Sequence, residues 1–545
     1  MRFARLLLLV PIAVIPSSLP ATDVNQQKVD QIFSTYDKGG SPGCAVGVIR
    51  NGDFVYRRGY GEASLERGAA LSPESLFYLG SISKQFTAAS VVLAAEQGYL
   101  SLDDDIRKYI PEVPNYGHAI TIRQLLHHTS GLRDFEALLD ISGASLLDSH
   151  SASEIMDLVV RQKTLNNIPG DEWVYSNTNY FLLAEIVKRA TKKSLAQFAA
   201  ENIFRRLGMA HTLFYDDHTS VVPGRVSGYR ESNGKFLENW SPNWDIVGAG
   251  GVLSNVEDLL LWDRNFYQNR LGKGTLAKEM LRPALLNSGQ KINYALGLEL
   301  GMYRGLATVE HAGSFPGYAA DVLRFPGQRF TVICLCNLSN VQPLTLSRKI
   351  ADVYLEQVLT QTEPSTISPS ARTFPDPTPF AGKYLNPHSH EVFSFTVSKG
   401  NLLGWGGILR RISPNQFMDL GSGTITFDSS QGPTTVSLDY LGERFYSGVK
   451  VQPPRLTRTA LAQFNGDYRS SELGATYRLS LDVNGLWLRN GRNTPLQLTP
   501  VAPDEFESNI GTIVFDRDAR HRVTALSVYV RSVGNLRFNK ISQGQ

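Results

Sequence analysis

Cysteine is nearly absent, with 3 in 545 residues, so neither a dense disulfide framework nor a zinc-ribbon scaffold holds this chain together. Neither sign of charge dominates: 54 Lys and Arg stand against 51 Asp and Glu, a formal net charge of +3. Electrostatics alone gives no reason to expect a polyanion such as nucleic acid as partner. Beyond the N-terminal segment no run approaches the roughly 18 consecutive apolar residues of a membrane-spanning helix. The Gly248-Ala249-Gly250-Gly251 stretch lacks the following Lys-Ser/Thr of a phosphate loop and any dinucleotide pattern, so no cofactor is implied. What is there is an ordinary globular composition, 42% hydrophobic and 10% aromatic, with length enough for about three domains.

The chain begins with Arg2 and Arg5 ahead of an apolar run from Leu6 to Ile15, then small and turn-forming residues. That pattern predicts a secretory leader over residues 1–21, cleaved near Ala21, and an exported product, periplasmic or secreted; an uncleaved anchor is the alternative. Cys44, Cys334 and Cys336 each lie in strand-like runs (GCAVGVI, TVICLCNL). Thiols in such runs pack as small core hydrophobes. Cys334 and Cys336 share one strand face, without redox or zinc spacing, and a Cys44–Cys336 bridge is disfavoured at this level.

Residues 22–360 alternate strand-like and helix-like segments. A hairpin is expected from Pro42 to Ser64, a helix from Ser83 to Gln97 closing at Gly98, three strands between Ala307 and Leu338, and a last helix over Leu346–Leu359. Strands at both ends with helices between predict an α+β domain, an antiparallel sheet flanked by helices with a helical insert. Residues 361–379 are dense in Pro, Ser and Thr and read as a linker. Beyond them helical periodicity gives way to short alternating runs broken by Gly and Asn. This last third repeats itself: Phe380-Ala-Gly-Lys-Tyr384 answers Phe464-Asn-Gly-Asp-Tyr468, Pro414–Phe417 answers Pro503–Phe506, and Gly423–Asp428 answers Gly511–Asp516. Duplication predicts two small all-β modules, 380–455 and 456–545, each a barrel or sandwich of about eight short strands.

Three short motifs carry chemistry. Ser81 and Lys84 are three apart at a helix start, so hydroxyl and amine emerge on one face beside the positive end of the helix. Tyr175 and Asn177 follow a Pro-Gly turn and precede a helical run; a phenol there can move a proton and an amide can hold a carbonyl. His311, Gly313 and Ser314 end a strand-like run, where Gly permits close approach of an extended substrate and a backbone N–H can face an oxyanion. His127-His128 has no spaced third ligand and reads as a hydrogen-bonded loop rather than a metal site. Asp103-Asp104-Asp105 reads as a capped helix start.

In order and spacing, S-x-x-K, Y-x-N and H-x-G resemble the serine β-lactamase and penicillin-binding protein superfamily, in its class C-like branch. Leu125–Leu132 (LLHHTSGL), Pro169-Gly170 and Gly250–Ser254 agree with it. The resemblance covers about residues 25–360, and the domain followed by two β-modules looks like the D-aminopeptidases. It implies Ser81 as acylated nucleophile, Lys84 and Tyr175 as its proton-transfer partners, Asn177 holding the substrate amide, and backbone N–H groups of Ser81 and Ser314 as oxyanion hole. Which of Lys84 and Tyr175 takes the first proton stays open, because they titrate as a pair. His311 stands where β-lactamases carry a Lys that fixes the substrate carboxylate. A His is a weaker and pH-dependent anchor, which disfavours efficient penicillin hydrolysis. One departure counts against D-aminopeptidase activity: in those relatives a long loop of the last module reaches the active site, whereas Phe506–Thr512 is a short connection.

The expected protein is thus an exported serine hydrolase acting through an acyl-enzyme on a small amide, peptide or ester, with no metal or cofactor and with D-residue peptides among its substrates. The alternatives are a β-lactamase or penicillin-sensitive DD-carboxypeptidase, and a non-catalytic ligand-binding or regulatory protein. The retained Ser81, Lys84 and Tyr175 argue against the last. Nothing in the sequence specifies an oligomeric state.

Overall fold

The computed structural model describes residues 24–239, 243–360, 375–404, 407–418, 423–440, 443–491 and 494–541. The expected leader and residues 361–374 of the expected linker lie outside the described residues.

After helix α1 (Val24–Phe33), strands β1 (Cys44–Arg50) and β2 (Asp53–Tyr60) form the expected hairpin. Four later strands, β3 (Glu299–Tyr303), β4 (Leu306–Phe315), β5 (Tyr318–Phe325) and β6 (Phe330–Cys336), complete one antiparallel sheet in the order β3-β4-β5-β6-β1-β2. Strand alternation decides what each face meets. From β1, Cys44, Val46 and Val48 pack with α1 and the helix α7 (Pro343–Leu355), whereas Ala45 and Ile49 join the core of the helical insert. The last helix begins at Pro343, three residues before its expected start; Pro in the first turn has no N–H to lose there.

Between β2 and β3 lies the insert. Its centre is α2 (Lys84–Glu96), with eleven of its 13 residues buried, the signature of a helix surrounded on all sides. Gly98, φ +81°, ends it in the left-handed region as anticipated. Around it stand α3 (Ile122–Leu126), α4 (Phe135–Ser142), α5 (Asn177–Thr191) and α6 (Val256–Gln268).

The cysteines differ from expectation. Cys44 and Cys336 are disulfide-bonded, leaving Cys334 as a buried free thiol. The reason is register: β1 pairs with β6 so that Cys44 lies directly opposite Cys336. No local pattern shows that strands 292 residues apart in sequence are neighbours.

The last third is all antiparallel strand. Residues 466–540 close into an eight-stranded barrel, and the preceding module is a nine-stranded sheet whose two edge strands, Gly407–Ile408 and Arg410–Arg411, are one residue apart in the chain. That separation forces the sheet to curl almost shut. Duplication is visible atom by atom. Tyr384 donates to Phe380 O as Tyr468 donates to Phe464 O, and Phe380 packs on Phe427 as Phe464 packs on Phe515. Lys450 and Lys540 bond the backbone carbonyls of Pro379 and Gln463 in the same way.

Both modules grip the preceding α+β domain. Arg133, fully buried, pairs with Glu472 at 2.8 Å and donates to Gly534 O and Asn535 O. Tyr477 donates to Ile141 O, and Tyr440 of the first module donates to Glu299.

Candidate active site

Ser81 sits in a 3₁₀ turn, Gly80–Ser83, that runs directly into α2. Two glycines let this turn abut β4. A Cβ on Gly80 (φ +53°) would come within 2.6 Å of Ser314 N, and one on Gly313 within 2.0 Å of Leu79 O; neither position tolerates a side chain. The contact also orients β4, because Ser314 turns its N and O toward Gly80 and away from β5. β3 pairs with β4 only as far as Glu310, so the stretch from His311 to Phe315 is an open strand edge beside Ser81. The sequence pattern places the end of the strand at this motif, whereas β4 runs through it to Phe315.

The separated motifs converge. Lys84 Nζ lies 3.0 Å from Ser81 Oγ, 2.8 Å from Asn177 Oδ1 and 2.8 Å from Ala249 O. Tyr175 donates from its hydroxyl to Ser81 Oγ at 3.0 Å. Lys84 Nζ also sits over the Tyr175 ring, 4.8 Å from its centroid. Asn177 is the first residue of α5, and its N–H donates to the buried Asp134, which also caps α4 through Ala137 N. One carboxylate thereby ties two helix starts together below the site.

Burial governs the protonation of these groups. It pushes the Lys84 amine down to about 7, with Glu136 and Asp134 opposing, and holds the Tyr175 phenol far above its usual value. A neutral Lys84 fits its surroundings completely. Its two N–H groups go to Asn177 Oδ1 and Ala249 O, and its lone pair remains for the Ser81 hydroxyl, whose oxygen accepts from Tyr175.

His311 is 3% exposed, and burial plus the Lys84 charge push it down to about 4. The pH-dependent positive anchor expected from the sequence is therefore a neutral imidazole near pH 7. His311 Nδ1 meets Ala312 O at 2.6 Å and its Nε2 meets the Tyr294 hydroxyl at 3.3 Å. His127 caps α3 and His128 follows with φ +57°, both buried; His128 is hydrogen-bonded as expected of the loop, to Ser176 N, Asn179 and Tyr294, whereas His127 Nδ1 is buried without a partner among the described residues. Asp105 caps a single 3₁₀ turn, Ile106–Lys108.

Sequence reasoning missed Glu136, in the first turn of α4. Its half-buried side chain has no hydrogen-bond or ion-pair partner among the described residues, while its charge acts on Lys84, Tyr175 and Tyr78. Burial and Asp134 raise its carboxyl to about 8. No local pattern separates it from any acidic residue at a helix start, where Asp and Glu are ordinary. Tyr294 and Trp173 were missed too. Both line a cavity of about 340 Å³ whose other walls include Tyr440 and Glu391 of the first module and Arg531 of the second.

Among the described residues one group of three possible metal ligands gathers, Cys44, Cys334 and Cys336; it lies on the sheet face away from Ser81, and two of its sulfurs are bonded to each other. No described helix is long and apolar enough to cross a membrane.

The Beta-lactamase family model matches residues 29–355. Penicillin-binding protein 4* of Bacillus subtilis (strain 168) is 31% identical over 336 residues, 57% of this chain and 72% of that protein. The D-aminopeptidase of Brucella canis is 25% identical over 524 residues, 89% of this chain and 93% of its own, and so the likeness reaches into the last β-module. Among solved structures, the octameric penicillin-binding protein homologue from Pyrococcus abyssi superposes with a TM-score of 0.55 at 21% identity, covering 78% of this chain and 98% of that one. The fold is the same.

Proposed function

This chain belongs to the beta-lactamase family and is a serine hydrolase of that family; from that premise we propose that it is an exported hydrolase that acylates Ser81 with small D-aminoacyl amides or esters bearing a free amine. The observation that carries the substrate class is Glu136. A carboxyl with no partner among the described residues, within electrostatic reach of Lys84 and Tyr175 and raised to about 8 by burial and Asp134, is neutral for most of the time near pH 7 while the site is empty, and a substrate ammonium group beside it would draw it into its charged form. The D-aminopeptidase name of the Brucella relative accords with this.

In this reading Lys84, a neutral amine for much of the time near pH 7, takes the Ser81 proton as Oγ attacks the carbonyl carbon. The Ser81 and Ser314 N–H groups receive the oxyanion. Tyr175, kept protonated by burial, passes a proton to the leaving amine or alcohol and recovers one from Lys84. Water then attacks the ester at Ser81 and loses a proton to the same pair, which returns one to Ser81 Oγ as the acyl–oxygen bond breaks and the acid leaves. Asn177 holds the substrate amide, and the open edge from His311 to Ser314 aligns it. The cavity walled by Trp173, Tyr294 and the β-modules receives the remainder of a longer peptide. Export accords with the leader-like N-terminus and with the Cys44–Cys336 bridge, a bond of oxidising compartments.

Turnover of D-alanine p-nitroanilide, L-alanine p-nitroanilide, a short-chain ester and nitrocefin by one preparation tests the reading. It expects the D-anilide and the ester to be hydrolysed, the L-anilide at least about tenfold slower and nitrocefin slowest. Nitrocefin turnover exceeding the anilide would favour a β-lactamase instead.

A further inference from the structure

Two histidines and a tyrosine beside the site form a line of hydrogen bonds whose direction is fixed at both ends. At one end, the backbone N–H of Ser176 reaches His128 Nδ1 at 3.2 Å. An amide N–H can only donate, so in a neutral imidazole His128 Nδ1 accepts and its Nε2 carries the proton. Asn179 Nδ2 donates to the same nitrogen, at 3.1 Å, and this orientation leaves its Oδ1 to accept from Ser130 Oγ at 2.6 Å. At the other end, His311 Nδ1 meets Ala312 O. A carbonyl can only accept, so Nδ1 carries the proton and Nε2 accepts. Tyr294 stands between, 3.2 Å from His128 Nε2 and 3.3 Å from His311 Nε2. It must accept from the first and donate to the second.

We infer that Tyr294 and His128 are positioning residues that hold His311 neutral with its proton on Nδ1, so that the site offers no cationic anchor for a substrate carboxylate and selects acyl donors whose leaving group is uncharged. Both imidazole nitrogens of His311 are engaged within the protein, and neither is left to donate to a ligand. The surroundings support the neutral state. Lys84 on α2, in its charged form, repels a second cation from both rings, and His127 at the end of α3, itself pushed down to about 4 by burial, supplies no anion that would favour one. The Tyr175 and Tyr180 phenols face the group uncharged, and Glu299 on β3, with its carboxyl raised to about 8 by burial, supplies no compensating anion near pH 7.

The inference rests on the substrate lying beside His311 as proposed above, and its first test does not depend on turnover. In protein labelled with ¹⁵N-histidine, His311, assigned through a His311→Gln variant, is expected to show a protonated Nδ1 and an unprotonated Nε2, unchanged from about pH 5.5 to about pH 8. A proton on Nε2, or titration near the ordinary value of about 6.5, would overturn it. Tyr294→Phe removes the hydroxyl with little change of shape. It is expected to raise the His311 pKa by about one unit, because a hydrogen bond to the neutral form is lost. At about pH 6 it should increase kcat/KM for D-alanyl-D-alanine, whose leaving group bears a carboxylate, about tenfold relative to that for D-alanine p-nitroanilide. A His311 signal and a substrate ratio identical to wild type in Tyr294→Phe would show that Tyr294 only packs. Wild-type protein that turns over no anilide but keeps the Nδ1–H tautomer would sink the functional reading and leave the tautomer lock standing.

Discussion

Lys84 Nζ lies 4.8 Å from the centroid of the Tyr175 ring, and both side chains reach the same oxygen, Ser81 Oγ, at 3.0 Å. The two are driven in opposite directions by one cause. Burial disfavours the charged form of each, so the amine loses its proton easily while the phenol keeps its own.

Acylation should therefore follow the fraction of neutral Lys84. Its amine is lowered to about 7, so kcat/KM rises with pH and levels off above that value, falling about tenfold per unit below about pH 6. Lys84→Arg places a permanent cation there and should reduce kcat/KM by at least about 10³-fold. A profile flat from pH 5 to pH 8 would contradict the role given to Lys84.

Glu136→Gln keeps the shape and removes the capacity to ionise against a bound ammonium group. The expected outcome is a KM for D-alanine p-nitroanilide raised about ten- to a hundredfold, the weight of one charged hydrogen bond of about 1.5–3 kcal/mol. Acetyl esters, which carry no amine, should change by less than about threefold. Equal effects on both substrates would assign Glu136 to structure alone.

The sheet, its flanking helices and the two β-modules were legible because they write periodic patterns: the hairpin at Cys44–Tyr60, the helix capped at Gly98, and the FxGxY repeats whose tyrosines make the same bond in both copies. Ser81, Lys84, Tyr175 and Asn177 were legible as motifs and meet in space. What escaped depends on which distant segments become neighbours. The Cys44–Cys336 bond follows from β1 pairing with β6, and Glu136 matters only because α4 starts beside Lys84. The charge state of His311 escaped for a related reason, since it is set by Tyr294 and by burial rather than by its neighbours in sequence.

The disulfide lies among α1, α7 and one face of the sheet, away from Ser81. Cys44→Ser should lower stability by about 2–4 kcal/mol while kcat stays within about twofold. Thiol titration of the oxidised protein should find one thiol, Cys334, and only after denaturation, because it is fully buried.

Arg133 and Glu472 form an ion pair with side chains 0% and 8% exposed. Breaking it leaves a buried charge without its partner, so Glu472→Ala should cost about 3–5 kcal/mol. Denaturant unfolding monitors the loss, and the eight-stranded barrel should become the first part cut by protease. Removal of the pair without change in either observable would show that the barrel is held by its other contacts.

The central claim is that Ser81 carries the acyl group. Intact-mass and peptide-mapping measurement after reaction with a fluorophosphonate probe tests it most directly. The account predicts one adduct per chain on the peptide containing Ser81, and none on Ser81→Ala. Labelling of Ser81→Ala to the same extent, or an adduct mapped to another residue, would contradict it.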